Sequence, residues 1–342
     1  MKVKNTTVFV AMSGGVDSSV AAYLLKKQGY KIVGVFLKPW TPPGVDCPWR
    51  RDRLDALRVA EQLNMPLKTW DVGKEYFKHV ASPMIKNYKI GKTPNPDVEC
   101  NRHIKFSLFA KRALLSGADF IATGHYAKIK DGMILKARDK NKDQTYFLWG
   151  IPCAILPKIL FPIGDYTKPQ VRLIAKKAKI LVANKKDSQG VCFIGKIDMK
   201  KFLSKYISYR NGDILNMKKE KVGTHDGAYY YTIGQRHGLD IRDGGGPYFV
   251  VAKNIKKNEI IVGSYGDLKK TNAKINKNNW LVKIPPFNKK VSVQIRYRSK
   301  HIPATILKTG EIKFSRPAYA ITPGQSAVIF SGSRLLGGGI IQ

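Results

Sequence analysis

The segment Met12-Ser13-Gly14-Gly15-Val16-Asp17-Ser18-Ser19 joins an apolar run, Thr7-Val8-Phe9-Val10-Ala11, to a helical pattern opening at Val20-Ala21-Ala22-Tyr23-Leu24-Leu25. It is a glycine-rich turn from a strand into a helix, and such a turn binds phosphate. Glycines let the backbone approach an anion with no Cβ in the way, while free N–H groups and the positive end of the helix dipole attract it. No Gly-Lys-Ser/Thr follows, which sets aside the kinase-type phosphate loop. Read without any phosphate, Asp17 or Ser18 would simply cap the helix.

The first half of the chain continues in the same texture. Residues 31–37 predict a strand, 52–63 a helix, 66–72 a strand, 106–115 a helix closed by Gly117, and 118–123 a buried strand ending in Gly124-His125-Tyr126. This alternation predicts a parallel sheet with helices on its faces. Ligands of such sheets bind beyond the carboxyl ends of the strands, where the 13–18 loop, Leu37 and Gly124 converge. A further helix over 169–179 places Val171, Ile174, Ala175 and Ala178 on one face.

Past residue 200 Gly, Asn and Lys punctuate short segments, and from about 265 the pattern is β. Val291, Val293, Ile295 and Tyr297 alternate with Ser292, Gln294, Arg296 and Arg298, predicting one strand with a basic solvent face. The domain reading is therefore 1–200, a small linking unit over 201–264, and an all-β barrel over 265–342.

A formal charge of +37 and a pI near 10.0 give a field that steers polyanions, of which nucleic acid is the foremost. The excess is mostly lysine in a chain also rich in Ile and Asn, so AT-rich coding drift is the competing source. No apolar stretch approaches about 20 residues and residues 1–5 run straight into the first strand, so the expectation is a cytoplasmic protein with no membrane span. The four cysteines, at 47, 100, 153 and 192, form no C-x-x-C pair, which argues against a zinc ribbon and a disulfide scaffold, and no metal site is visible.

Ser13-Gly14-Gly15-Val16-Asp17-Ser18 resembles the loop of the ATP pyrophosphatase (PP-loop) superfamily, whose members split ATP between the α- and β-phosphates and adenylate a substrate. Thr93-Pro94-Asn95-Pro96-Asp97-Val98-Glu99-Cys100-Asn101 and Lys186-Asp187-Ser188-Gln189-Gly190-Val191-Cys192-Phe193-Ile194-Gly195 resemble the two cysteine signatures of the tRNA-specific 2-thiouridylases. Gly124-His125-Tyr126, the 142–148 run Lys-Asp-Gln-Thr-Tyr-Phe-Leu, Tyr231-Thr232-Ile233-Gly234-Gln235-Arg236 and Thr322-Pro323-Gly324-Gln325 follow in the same order to the end of the chain. The resemblance implies an α/β fold: a PP-loop domain of the adenine nucleotide alpha hydrolase kind, a small central domain and a C-terminal β-barrel. It further implies ATP as substrate with Mg²⁺, tRNA as partner (the Lys, Glu and Gln tRNAs at wobble uridine 34), and a persulfide donor such as a cysteine desulfurase or sulfur-relay protein. A PP-loop enzyme that thiolates or otherwise modifies a different RNA position is the alternative.

The chemistry agrees with this. A uridine carbonyl oxygen leaves poorly until adenylation turns it into AMP, and a persulfide then supplies a sulfur nucleophile that a second thiol must release. The resemblance makes Cys192 the persulfide carrier, Cys100 its partner, and a transient Cys100–Cys192 disulfide the end of the cycle, each cysteine in a polar loop. Cys47 and Cys153 read as structural. Asp97 reads as an acid or base at the target base, as a hydrogen-bonding group to the base edge with Asn95 and Pro96, or as a loop cap. ATP contacts fall on Ala11, Met12, Ser13, Gly14, Gly15, Val16, Asp17, Ser18, Leu37 and Gly124. By the resemblance His125, Lys142, Asp143 and Gln144 contact tRNA, Arg296 offers a phosphate ligand, Tyr297 a stacking platform and Gln325 a reach to a nucleotide edge.

Overall fold

The computed structural model describes residues 5–42, 49–187, 199–241 and 245–342. Its first sheet has the order Leu67–Asp71, Lys31–Lys38, Thr7–Ala11, Phe120–Ala122, Ile159–Leu160, all parallel. Alternate residues of the central strand serve opposite faces. Val8 and Val10 pack with Val20, Ala21 and Phe36, while Phe9 packs with Val35, Leu37, Phe106 and Phe109. Burial on both faces explains why the central strand Thr7–Ala11 is a continuous apolar run, whereas the edge strand Leu67–Asp71 is half polar.

The sheet grows outward in both directions from Thr7–Ala11, which lies between Lys31–Lys38 and Phe120–Ala122. At that reversal the loops leaving Ala11 and Ala122 come together at the carboxyl ends of the strands, where Gly124 packs on Asp17 and Ser18. The expected helices at 52–63 and 169–179 appear as Trp49–Gln62 and Lys168–Lys177.

One helix is longer than its sequence suggests. The predicted 106–115 element is the end of a continuous helix over 96–115, α-helical at Pro96–Glu99 and Ala110–Leu115 and widened to a π-helix over Cys100–Phe109. Cys100 is therefore not in a loop: it sits one turn into this helix, with no exposed surface. Pro96 at the start and Asp97 and Glu99 in the first turn are the residues a helix N-terminus favours. A π-helix of ten residues is far longer than the usual single-turn bulge, a form concentrated at functional sites.

The 201–264 stretch is more than a linker. It holds a second sheet, ordered Asp240–Ile241, Lys221–His225, Gly212–Leu215, Glu259–Gly263, Phe249–Asn254, around a small core of Ile214, Val250, Ile260 and Val262. The last region is a six-stranded barrel of Lys269–Trp280, Glu311–Tyr319, Ile302–Ile306, Lys290–Gln294, Ser326–Ser331 and Arg334–Ile341 in spatial order. Pairing of the first strand with the last closes it, as at Ile275↔Ile341. The strand expected over 291–298 stops at Gln294, whose amide turns inward to donate to the Ser299 carbonyl at 3.0 Å, and Arg298 takes a φ of 62°. Arg296 and Tyr297 thus sit in a turn rather than on opposite faces of a strand. A hairpin from the first region, Lys128–Lys130 with Met133–Leu135, pairs with the barrel at Leu135↔Arg334. Among the described residues no helix is long and apolar enough to cross a membrane.

Candidate active site

The glycine-rich loop is held open by its own hydroxyls. Ser18 Oγ accepts from the Ser13 amide at 3.2 Å and lies 3.1 Å from Ser13 Oγ, while the Ser18 and Ser19 hydroxyls point back to the Gly15 carbonyl. Gly14 has a φ of 70°, and a Cβ there would stand 2.1 Å from the Asp52 carbonyl oxygen. Only glycine fits. Gly124 lies against the start of helix Val16–Lys27, where a Cβ would meet the Ser18 nitrogen at 2.6 Å. Met12 donates its amide to the Val35 carbonyl at 2.8 Å, and the Leu37 side chain is buried at the end of the neighbouring strand. The 13–18 loop and Gly124 therefore meet at the start of helix Val16–Lys27.

A chain of ion pairs leads away from this loop. Lys168 Nζ lies 2.7 and 2.9 Å from the two oxygens of Asp17, and the Tyr126 hydroxyl donates to the same carboxylate at 2.9 Å. Lys168 also lies 2.9 Å from Asp187, which pairs with Lys142 and Arg172 at 2.6 Å each. Partial burial alone would raise the Asp187 carboxyl, but hydrogen bonds from Lys142 and Lys168 outweigh it and hold the group at about 2. Burial and the adjacent Asp17 charge push the Tyr126 phenol far above its usual range. Two residues upstream of Asp187, Lys185 donates to the Gly14 carbonyl at 3.0 Å and pairs with Asp52 and Asp55.

The turn over 142–147 fastens a second wall. Asp143 accepts from the amides of Ala137 and Thr145, and burial raises its carboxyl. Gln144 exchanges hydrogen bonds with the Tyr126 backbone, 2.9 Å in each direction. His125 is 7% exposed, with Nδ1 2.7 Å from the Thr123 hydroxyl and its ring between Phe106 and Phe161; burial, then the charge of Lys105, holds it neutral. These residues spend most of their polar atoms inside the protein, although the sequence alone reads the 142–144 turn as exposed.

The Cys100 helix is clamped from the barrel. Gln325 Nε2 donates to the carbonyls of Thr93 and Pro94 at 3.0 and 3.3 Å, the Thr93 amide donates to Pro323, and the Thr93 hydroxyl lies 3.2 Å from that of Thr232. Loops from all three regions meet at Thr93. Arg296 donates to the Ile233 carbonyl at 2.9 Å and the Thr322 hydroxyl at 3.1 Å, tying barrel to central sheet. Tyr297 packs on Phe147 with ring centroids 4.5 Å apart, and Asn101, next to Cys100, donates to the Phe147 carbonyl. Cys192 and Cys47 lie outside the described residues. Cys153 is exposed and donates to the Trp280 carbonyl.

Comparison with known proteins agrees along the whole chain. The families described as tRNA methyl transferase HUP domain, tRNA methyl transferase PRC-barrel domain and Aminomethyltransferase beta-barrel domain match residues 6–196, 200–264 and 270–341. The tRNA-specific 2-thiouridylase MnmA 2 of Geobacillus kaustophilus is 45% identical over 98% of this chain and 95% of its own length. The tRNA-specific 2-thiouridylases MnmA of Halalkalibacterium halodurans and Bacillus subtilis are 43% and 44% identical over 99% of this chain and 95% of theirs. The chain belongs to the tRNA-specific 2-thiouridylase family.

Within this 2-thiouridylase the sequence reading missed Lys168, Lys185 and Tyr126. Lys168 carried a signal. A lysine behind Thr167, whose amide donates to Gln170, stands in the first turn of a helix, where the dipole disfavours a cation. Two carboxylates account for its place there.

Proposed function

We propose that this chain converts wobble uridine 34 of tRNA to 2-thiouridine. The C2 oxygen attacks the α-phosphate of ATP, forming an O-adenylated base and releasing pyrophosphate. The terminal sulfur of a Cys192 persulfide attacks C2 and expels AMP. The Cys100 thiolate then attacks the inner sulfur, releasing the thiolated base and leaving a Cys100–Cys192 disulfide, which a two-electron reductant reopens. Asp97, at the N-terminus of the Cys100 helix, handles the proton at the base or holds its edge.

The observation that carries this reading is the Asp17–Lys168–Asp187 chain. It joins the nucleotide loop to Asp187, the second residue of the Cys192 signature, so adenylation and sulfur delivery share one scaffold. The N-terminal amides of Val16–Lys27 and the Ser13–Ser18 loop would bind the ATP phosphates. Mg²⁺ would be held chiefly by the substrate phosphates and water, since both oxygens of Asp17 already accept from Lys168 and one also from Tyr126. It supplies charge neutralisation at the phosphates. The donor is a cysteine desulfurase or relay protein and the substrates are the Lys, Glu and Gln tRNAs, met in the cytoplasm. Incubation of the protein with ATP, a persulfide donor and unmodified tRNA, followed by nucleoside mass spectrometry, tests the whole: 2-thiouridine at position 34 is expected, and sulfur at another position, or none, overturns it.

A further inference from the structure

Between the central sheet and the barrel, with Arg296 in its wall, lies a cavity of about 420 Å³. Its walls carry three cations, Arg296, Lys300 and Arg316, and three aromatic rings, Phe249, Tyr265 and Tyr319, and no carboxylate among the described residues. Tyr265 and Tyr319 are stacked, with centroids 4.5 Å apart and planes 13° apart, and Phe249 meets Tyr265 edge-on. Tyr265 is 52% exposed, so this stack is not sealed into a core.

Aromatic faces and exposed cations are what a single nucleotide needs: a ring to lie against and charges for its phosphate. The size suits such a ligand. Position selects the source. Arg296, in the cavity wall, bonds Thr322, and Gln325 in the same turn grips Thr93 and Pro94, which lead directly into the Cys100 helix. The cavity and the cysteine helix are therefore two sides of one junction.

We propose that this cavity holds one unstacked nucleotide of the RNA strand beside the target uridine, its base against the Tyr265–Tyr319 wall and its phosphate between Lys300 and Arg316. The inference rests on the tRNA-thiolating reading. Pulling a neighbouring nucleotide into a separate pocket straightens the strand and turns the target base toward Cys100, so the pocket is a positioning subsite for the reaction.

The test is titration of the full-length protein with a fluorescent anticodon stem-loop RNA, comparing wild type with Arg316→Ala, Tyr319→Ala and Tyr319→Phe. Loss of the stacking ring or of the phosphate ligand is expected to weaken binding about tenfold, and Arg316→Ala to reduce the salt slope by about one. Tyr319→Phe, which keeps the ring, is expected to bind as wild type does, which separates stacking from folding. Wild-type RNA binding with unchanged affinity in both alanine variants overturns the pocket alone and leaves it to a protein partner. Saturation by uridine monophosphate that leaves RNA affinity unaltered assigns it to a free nucleotide and also overturns the proposal. Failure of the wild-type protein to bind RNA overturns the tRNA reading and this inference with it.

Discussion

Lys168 donates to both carboxylate oxygens of Asp17, at 2.7 and 2.9 Å, from a side chain only 11% exposed, while lying 2.9 Å from Asp187. One ammonium thus serves two carboxylates from different parts of the chain. The nucleotide loop and the start of the Cys192 signature cannot shift apart without one of the two carboxylates losing the Lys168 ammonium.

Replacing Lys168 by Met should therefore cost stability and activity together. Breaking a fully buried ion pair costs about 3–5 kcal/mol, and since Asp17 and Asp187 keep 31% and 28% exposure the expected loss is nearer about 2 kcal/mol. Urea unfolding measures the first effect and AMP formation the second. Asp17→Ala should abolish AMP formation. An unchanged rate would reduce Asp17 to a helix cap.

The loop glycines make a sharper contrast. Gly14→Ala places a Cβ 2.1 Å from a backbone carbonyl oxygen at a φ of 70°, so the loop must deform and nucleotide binding should be lost. Gly29 also has a positive φ, of 91°, but nothing lies within 4 Å of its would-be Cβ. Gly29→Ala should cost only about 1 kcal/mol and leave ATP binding intact. Calorimetric titration with ATP on both variants decides whether the close approach, not glycine content, shapes the site.

Acid should weaken the network in a defined window. Asp187 is held at about 2, below its ordinary value of 3.8, so its contribution is fully present above about pH 4 and is lost as pH falls toward 2. Asp187→Asn should remove that part of the acid destabilisation. Melting temperature recorded from pH 5 to 2 for both proteins checks it, and parallel curves would show that the pairs contribute nothing.

How far the sequence was legible follows from what each residue needs. The parallel sheet was readable because strands covered on both faces must be apolar throughout, as Val8, Phe9 and Val10 are. The Cys100 helix was not, because Thr93-Pro94-Asn95-Pro96 is turn-rich and hides a helix start directly behind it. The central sheet was missed because its strands are two to six residues long and broken by polar residues. Arg296 and Gln325 were read as a phosphate ligand and a reach to a nucleotide edge, whereas here they bond the backbone at Ile233 and Thr93, loop residues of other regions that become neighbours only on docking. Local pattern cannot supply that contact.

Arg296 accordingly should behave as a structural tie. Its guanidinium, mostly buried and lowered by desolvation, already holds Ile233 and Thr322. Arg296→Ala should destabilise the junction by about 1–3 kcal/mol, through unpaired acceptors, and change the salt slope of tRNA binding by less than one unit. Thermal unfolding and a salt titration separate the two. A full unit of slope with unaltered stability would make it a phosphate ligand instead.

The cysteines should differ in what they leave behind. Cys100 has no exposed surface and sits one turn inside a helix whose entrance is clamped by Gln325, which suits a residue that acts on a neighbouring sulfur better than one that must meet a large donor protein. Cys192→Ser should accept no labelled sulfur from a cysteine desulfurase or relay protein. Cys100→Ser should become sulfur-loaded and still fail to release product, because nothing then attacks the inner sulfur of the persulfide. The unmutated protein without reductant should stop after one cycle with Cys100 and Cys192 joined, and a two-electron reductant should restart it. Peptide mass spectrometry after a single turnover reads all three outcomes. A persulfide on Cys100, or a disulfide involving Cys47 or Cys153, would falsify this division of roles.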